Sequence, residues 1–202
     1  MRAWIYDRTI LPLTGGWYRE VLTRVPDSAR LLDVGIGTAG ALLHNVDLVQ
    51  ERDLRITGVD IDADYVQAAQ KKVDEHGVSD RIEVLLESVY DHLGGPYDGV
   101  YFSASFMLMP DPLGALRHVG SLLTDRGRVY FTQTFDEKKS VIAERAKPLL
   151  KRLTTIDFGR VTYEEDFLDT VALGGFEVSE LTTLGTRGSR TFRLAVAVPK
   201  GR

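Results

Sequence analysis

The chain has 202 residues, 44% hydrophobic and 27% charged, which suits one globular domain and excludes a disordered or collagen-like chain. A formal charge of -4 argues against nucleic acid as a partner, and the absence of cysteine removes disulfide scaffolds, thiolate catalysis and thiolate metal sites. Charge enters by Arg2 and no apolar run is long enough for a bilayer, so the expectation is a soluble, cytoplasmic protein.

Strand and helix patterns alternate along the chain. Arg30 to Val34 reads as a strand and runs into a glycine-rich turn; Ala41 to Val49 then carries helical apolar spacing. Arg55 to Val59 is a second strand, ending at Asp60, and Tyr65, Val66, Ala69 and Val73 recur at helical spacing behind it. Ile82 to Leu86 and Gly99 to Phe102 are the third and fourth strands. A stripe from Leu113 to Leu123 predicts a helix, and Arg128 to Phe131 a fifth strand. Such alternation predicts a parallel sheet with helices on both faces. Further on, Phe167 to Leu173 is helical, with Thr162 and Glu165 spaced as a capping box. Phe176 to Leu184 and Thr191 to Val198 are joined by a link too short for a parallel crossover, which predicts a closing antiparallel pair.

The strongest local signal is Leu31-Leu32-Asp33-Val34-Gly35-Ile36-Gly37-Thr38-Ala39-Gly40. Glycines directly after a strand allow a tight turn and close approach of a ligand, and amides at a helix start favour negative charge. Asp60 ends the next strand, where a carboxylate accepts hydrogen bonds from the ribose hydroxyls of an adenosine. Asp33 decides which adenosine compound fits. A carboxylate beside the turn repels a pyrophosphate, whereas it attracts the ammonium of a sulfonium amino acid. That points to S-adenosylmethionine rather than a nicotinamide dinucleotide.

The run resembles the first motif of class I methyltransferases, a hydrophobic strand followed by Asp/Glu-x-Gly-x-Gly-x-Gly, and the order of elements is similar from about Arg30 to Val198. Ala39 stands at the third glycine of that pattern. The resemblance implies a Rossmann-like three-layer sandwich with a mostly parallel seven-stranded sheet. It also implies one domain over 1–202: a lid or helix segment over 1–29, a cofactor-binding core over 30–134, and acceptor-side helices and final strands over 135–202. Asp33, Gly35, Ile36 and Gly37 are then expected along the methionine part of the cofactor. Asp60 is expected on the ribose and Ile61 on the adenine. Ser88, with Val89 beside it, takes the place of the family's adenine-facing acid, and Glu87 is an alternative to Ser88. Ser103 is expected on the cofactor side of the fourth strand end, and Tyr6 over the cofactor.

Ligands of open parallel sheets sit at the carboxyl ends of the strands. The fourth strand ends in Phe102-Ser103-Ala104-Ser105-Phe106-Met107-Leu108-Met109-Pro110, without the Asn/Asp-Pro-Pro-aromatic motif of nucleobase amino-methyltransferases. It is similar to the apolar segment of small-molecule methyltransferases. Phe106, Met107 and Met109 are candidates for an acceptor wall, closed by Trp17 and Tyr18 from the N-terminal segment. No histidine stands at an obvious acceptor position, so no catalytic base is assigned, and no ligand motif suggests a metal. The stretch from Asp136 to Arg160 holds seven basic against four acidic side chains. It supports a second reading, a phospholipid N-methyltransferase at a membrane surface. A third reading is a non-catalytic cofactor-binding partner subunit.

Overall fold

A computed structural model describes residues 14–136 and 162–201. Tyr6 and the basic residues Lys138 to Arg160 lie outside them. The seven strands form one sheet in the order β3-β2-β1-β4-β5-β7-β6. They are β1 (Arg30–Val34), β2 (Arg55–Asp60), β3 (Ile82–Leu86), β4 (Tyr97–Ser103), β5 (Leu123–Asp136), β6 (Phe176–Arg187) and β7 (Arg190–Pro199). The first five run parallel, and β7 is antiparallel to both β5 and β6. The chain thus builds the expected parallel sheet with an antiparallel pair at one edge.

Side chains alternate across the central strands, which separates two cores. Leu31, Tyr101 and Tyr130 face a first helical layer with Leu194 and Val196. That layer contains α1 (14–22), α2 (Gly40–Leu43), α3 (Val46–Glu51) and α4 (Ala63–Glu75). Leu32, Val34, Val100, Phe102 and Phe131 face the opposite layer, α5 (Pro112–Ser121) and α6 (Glu164–Leu173). Its centre is aromatic: Phe131 stacks on Phe102 at 5.4 Å and meets Phe167 edge-on at 5.2 Å. No helix of the described residues is long and apolar enough to cross a membrane.

The structure corrects three local expectations. The helix expected over Ala41 to Val49 is broken at Asn45, whose amide donates to Ala41 O at 3.1 Å and Gly15 O at 2.9 Å. That side chain competes with the helical ladder, and the backbone at Asn45 leaves it at ψ 30°. Leu123 belongs to β5 rather than to the preceding helix; α5 ends at Ser121 and Leu123 pairs with Tyr97. Finally, the N-cap of α6 is Tyr163, which makes no side-chain cap, rather than Thr162. The carbonyl of Thr162 accepts from Asp136 N at 3.1 Å, so it is tied to the end of β5 and the helix starts one residue later.

Connections from β1 lead to β2 on one side, whereas β4 flanks it on the other. This reversal of strand order opens a crevice beyond the carboxyl ends of β1 and β4, the usual ligand position in doubly wound sheets. The glycine turn leaves β1 at that point.

Candidate functional site

Three left-handed residues shape the turn: Gly35 at φ 77°, Gly37 at φ 59° and Ala39 at φ 57°. Ala39, at the family's third glycine, adopts the glycine-like conformation at a cost of about 1–2 kcal/mol for an L-residue. Gly35 is needed for a second reason, because a Cβ there would meet Ser105 Cβ at 3.0 Å.

Hydrogen bonds sew the turn to both neighbouring strand ends. The amides of Gly35 and Ile36 donate to Val59 O at 2.8 and 3.3 Å. Gly37 N donates to Asp60 Oδ2 at 2.9 Å, and Ser105 Oγ donates to Val34 O at 2.6 Å. Ile36 folds over β2 at Gly58, where any Cβ would lie 2.3 Å from Ile36 Cδ1. Its side chain is therefore buried, and what Ile36 offers a ligand is backbone.

Asp33 is fully buried. Its Oδ2 accepts from the Tyr18 hydroxyl at 2.8 Å, and its Oδ1 has no partner. Burial pushes this carboxyl up to about 7, the Tyr18 hydrogen bond opposes the rise, and the charge of Asp60 adds to it. The Tyr18 ring stands edge-on to Tyr101 at 4.9 Å, and Tyr101 shares a hydrogen bond with Thr132 at 2.8 Å. Burial and the neighbouring carboxylate hold the Tyr18 hydroxyl well above its ordinary range, so it is a donor to Asp33. Ser103, at the end of β4, interacts with both tyrosine hydroxyls.

Asp60 ends β2. Each of its oxygens takes one backbone N–H, from Gly37 and from Asp62 (3.0 Å). Each keeps a second lone pair, enough for two ribose hydroxyls. Capping of α4 falls to Asp62, which accepts from Asp64 N and Tyr65 N, so Asp60 is free of that structural duty. Next to it Ile61 is 78% exposed, and Leu86, the register partner of Asp60 on β3, is 58% exposed. Two large apolar side chains left in water at adjacent strand ends suit the π faces of a flat aromatic ring such as adenine.

The remaining sequence candidates fall into two groups. Ser88 stays partly exposed and caps the turn after β3, accepting from Tyr90 N at 3.3 Å. Glu87 is engaged by His92 at 2.7 Å, and His92 in turn meets Tyr97 OH at 2.8 Å. Met107 is half-buried. By contrast Val89 and Phe106 are core residues, since apolar side chains at these turns gain more by burial than by facing solvent. Phe106, 1% exposed, sits within 6.0 Å of the Phe102, Phe131 and Phe167 ring centroids. Trp17 is buried too, against Phe192 of β7 at 5.6 Å, and Tyr18 serves Asp33. No cluster of three metal-ligating side chains occurs among the described residues.

Sequence reasoning missed Ser105, Gly58 and Ala104. Ala104 takes φ 54° while its amide donates to Thr132 O at 2.8 Å, so the loop after β4 is held in a strained conformation at the site. Gly58 offered a signal, a glycine inside an otherwise apolar strand. The other two become visible only when β1, β4 and β5 lie side by side.

Residues 32–129 match the methyltransferase domain family. A release factor glutamine methyltransferase of Chlorobaculum tepidum is 38% identical over 77 residues, 36% of this chain and 26% of the relative. An aklanonic acid methyltransferase, DauC, of Streptomyces sp. strain C5 is 28% identical over 106 residues, 51% of this chain and 47% of the relative. The chain thus spans less than half the length of either relative. Among solved structures, the [4+2]-cyclase SpnF superposes with a TM-score of 0.73 at 16% identity, covering 92% of this chain and 81% of the cyclase. That likeness concerns the fold.

Proposed function

We propose that this chain, whose residues 32–129 match the methyltransferase domain family, transfers a methyl group from S-adenosylmethionine to a small-molecule acceptor. One observation carries the reading. A fully buried Asp33 with an unpaired oxygen sits at the strand-order reversal, two residues before a turn in which Gly37 faces open space. A buried, unsatisfied carboxylate oxygen is costly unless a cation completes it. The cofactor's ammonium is such a cation; a pyrophosphate would deepen the penalty.

The rest of the crevice fits the same molecule. Asp60 retains acceptor capacity for the ribose, and Ile61 with Leu86 flanks the adenine position. When bound, the sulfonium supplies an activated methyl group to a nucleophile aligned with it. The chain's own work is to hold and align. Tyr18 keeps Asp33 in place, Ser105 pins the end of β1 to β4, and the loop after β4 borders the acceptor side. Alignment in a water-poor crevice supplies much of the acceleration in such transfers. The aklanonic acid methyltransferase, named for a small organic acceptor, supports the substrate class.

Calorimetric titration with S-adenosylhomocysteine tests the reading. Micromolar binding is expected, weakened at least tenfold by Asp60→Ala, with no binding of NAD. Failure of the wild-type protein to bind S-adenosylhomocysteine overturns it.

A further inference from the structure

The strand ends that carry the glycine turn continue past β4 into β5 and the β6–β7 hairpin. Because β7 is antiparallel to both β5 and β6, the hairpin tip from Arg187 to Arg190 stands at the same end of the sheet as Ser103, the end where β4 and β5 finish. A cavity of about 420 Å³ opens there, lined by Thr134, Arg187, Gly188, Ser189, Arg190 and Phe192. Its size lies within the range of small-ligand sites.

We propose that this cavity receives the anionic end of the methyl acceptor, a carboxylate or phosphate oxyanion held by Arg187 and Arg190. The inference rests on the methyl-transfer reading for the word acceptor, and on the cavity itself for the charge.

Position comes first. Ser103 pairs with Thr132, and Thr134 lies two residues further along β5, opposite Phe192 of β7. Strand spacing of about 4.8 Å and a rise of about 3.3 Å per residue put the cavity roughly 10 Å from Ser103. A small acceptor spans that distance, with its nucleophile near the end of β4 and its far end in the cavity.

Shape comes second. Gly185, the register partner of Phe192, has no side chain to fill the space, and β6 is irregular between Thr183 and Gly185. Irregularities of this kind bend a strand and re-aim its side chains. Gly188 at φ 64° is the first of two turn residues between Arg187 and Arg190, the position where a tight hairpin needs glycine. Trp17 supports the Phe192 ring from α1.

Charge comes third. Among the described residues no carboxylate pairs with Arg187. Arg190 is mostly exposed and approaches Asp136 only to 3.5 Å, longer than a strong charge-assisted hydrogen bond. Among the described residues, the formal charges of Arg187, Arg190 and Asp136 sum to one positive charge at the cavity. Arg193 does not contribute, since it lies on the opposite face and is committed to Glu164 at 3.1 Å. A guanidinium presents a planar fork that matches carboxylate or phosphate, and Thr134 and Ser189 bring hydroxyls to the same walls.

The test is titration of the full chain with pyrophosphate and, separately, with benzoate, read by calorimetry and, in a Trp4→Phe background, by the fluorescence of Trp17. Saturable binding of at least one is expected, and which one binds distinguishes phosphate from carboxylate. Arg187→Gln and Arg190→Gln should each weaken it at least fivefold. Arg55→Gln, which removes an exposed arginine at the amino end of β2, should leave it unchanged. The proposal is overturned if neither anion binds the wild type, or if Arg55→Gln weakens binding as much as Arg187→Gln. S-adenosylhomocysteine affinity should be equal in wild type and Arg187→Gln. A loss in the variant alone would assign Arg187 to the cofactor and sink the proposal. Absence of S-adenosylhomocysteine binding in the wild type would instead strike the methyl-transfer reading, leaving the anion result to stand or fall by itself.

Discussion

Asp33 carries a conflict between stability and ligand binding. Its carboxyl is raised to about 7 in the folded chain, against about 4 for an exposed aspartate. Between those values the folded state holds a proton that the unfolded state has released. Stability from this group therefore falls as pH rises from about 4 to 7, by up to the order of 4 kcal/mol. Ligand affinity runs the other way, because a cation needs the ionised form. Thermal melts at pH 5.5 and 8.0 should show the wild type losing stability at the higher pH, with the loss much reduced in Asp33→Asn. The same substitution should abolish binding of S-adenosylhomocysteine at pH 8. An unchanged pH dependence in Asp33→Asn would remove Asp33 as its source. Tyr18 supports the arrangement by satisfying one oxygen and leaving the other unpaired.

The glycine turn is an element whose shape depends on its neighbours as much as on itself. Gly58 lies on β2, outside the turn, yet its missing side chain is what lets Ile36 lie flat. Gly58→Ala should destabilise the fold by about 3 kcal/mol through overpacking and weaken the cofactor by lifting Ile36. Gly37→Ala meets nothing within 4 Å and should cost only about 1–2 kcal/mol, the left-handed strain at φ 59°. Urea denaturation of the two variants measures the difference. Equal losses would show that the contact with Ile36 relaxes freely. The break at Asn45 follows the same logic, since a side-chain amide binding Ala41 O and Gly15 O fastens α1 to α2 and forfeits one continuous helix.

At the scale of the whole molecule, the crevice is assembled from β1, β2 and β4 and lined by α1, elements far apart in the chain. A ligand that bridges them binds only the folded form and stabilises it by mass action. At one hundred times its dissociation constant the gain is about 2.7 kcal/mol, which for a domain of this size shifts the melting temperature by roughly 5–10 °C. S-adenosylhomocysteine should produce that shift in the wild type, and whichever of pyrophosphate and benzoate binds the hairpin cavity should add to it. An unchanged melting temperature at saturating S-adenosylhomocysteine would contradict binding across the crevice. The fold alone leaves the chemistry open, as the likeness to a [4+2]-cyclase illustrates.

By itself, the sequence determined what depends on local spacing. β1 and β3 match their expected bounds, the short link foretold the antiparallel pair, and Asp33, Gly35, Gly37 and Asp60 stand at one crevice. These features are written in period, in turn chemistry and in the order of strands, all of which operate over a few residues. The tertiary structure decided what depends on which surfaces meet. It buried Phe106 and Val89 in the core, put Tyr18 on Asp33, set Ser105 against Gly35, and brought Arg187 and Arg190 to the end of the sheet that carries Ser103. The reason is physical: an apolar residue at a strand end has the same spacing whether it faces a ligand or a helix. Only the packed neighbour distinguishes the two.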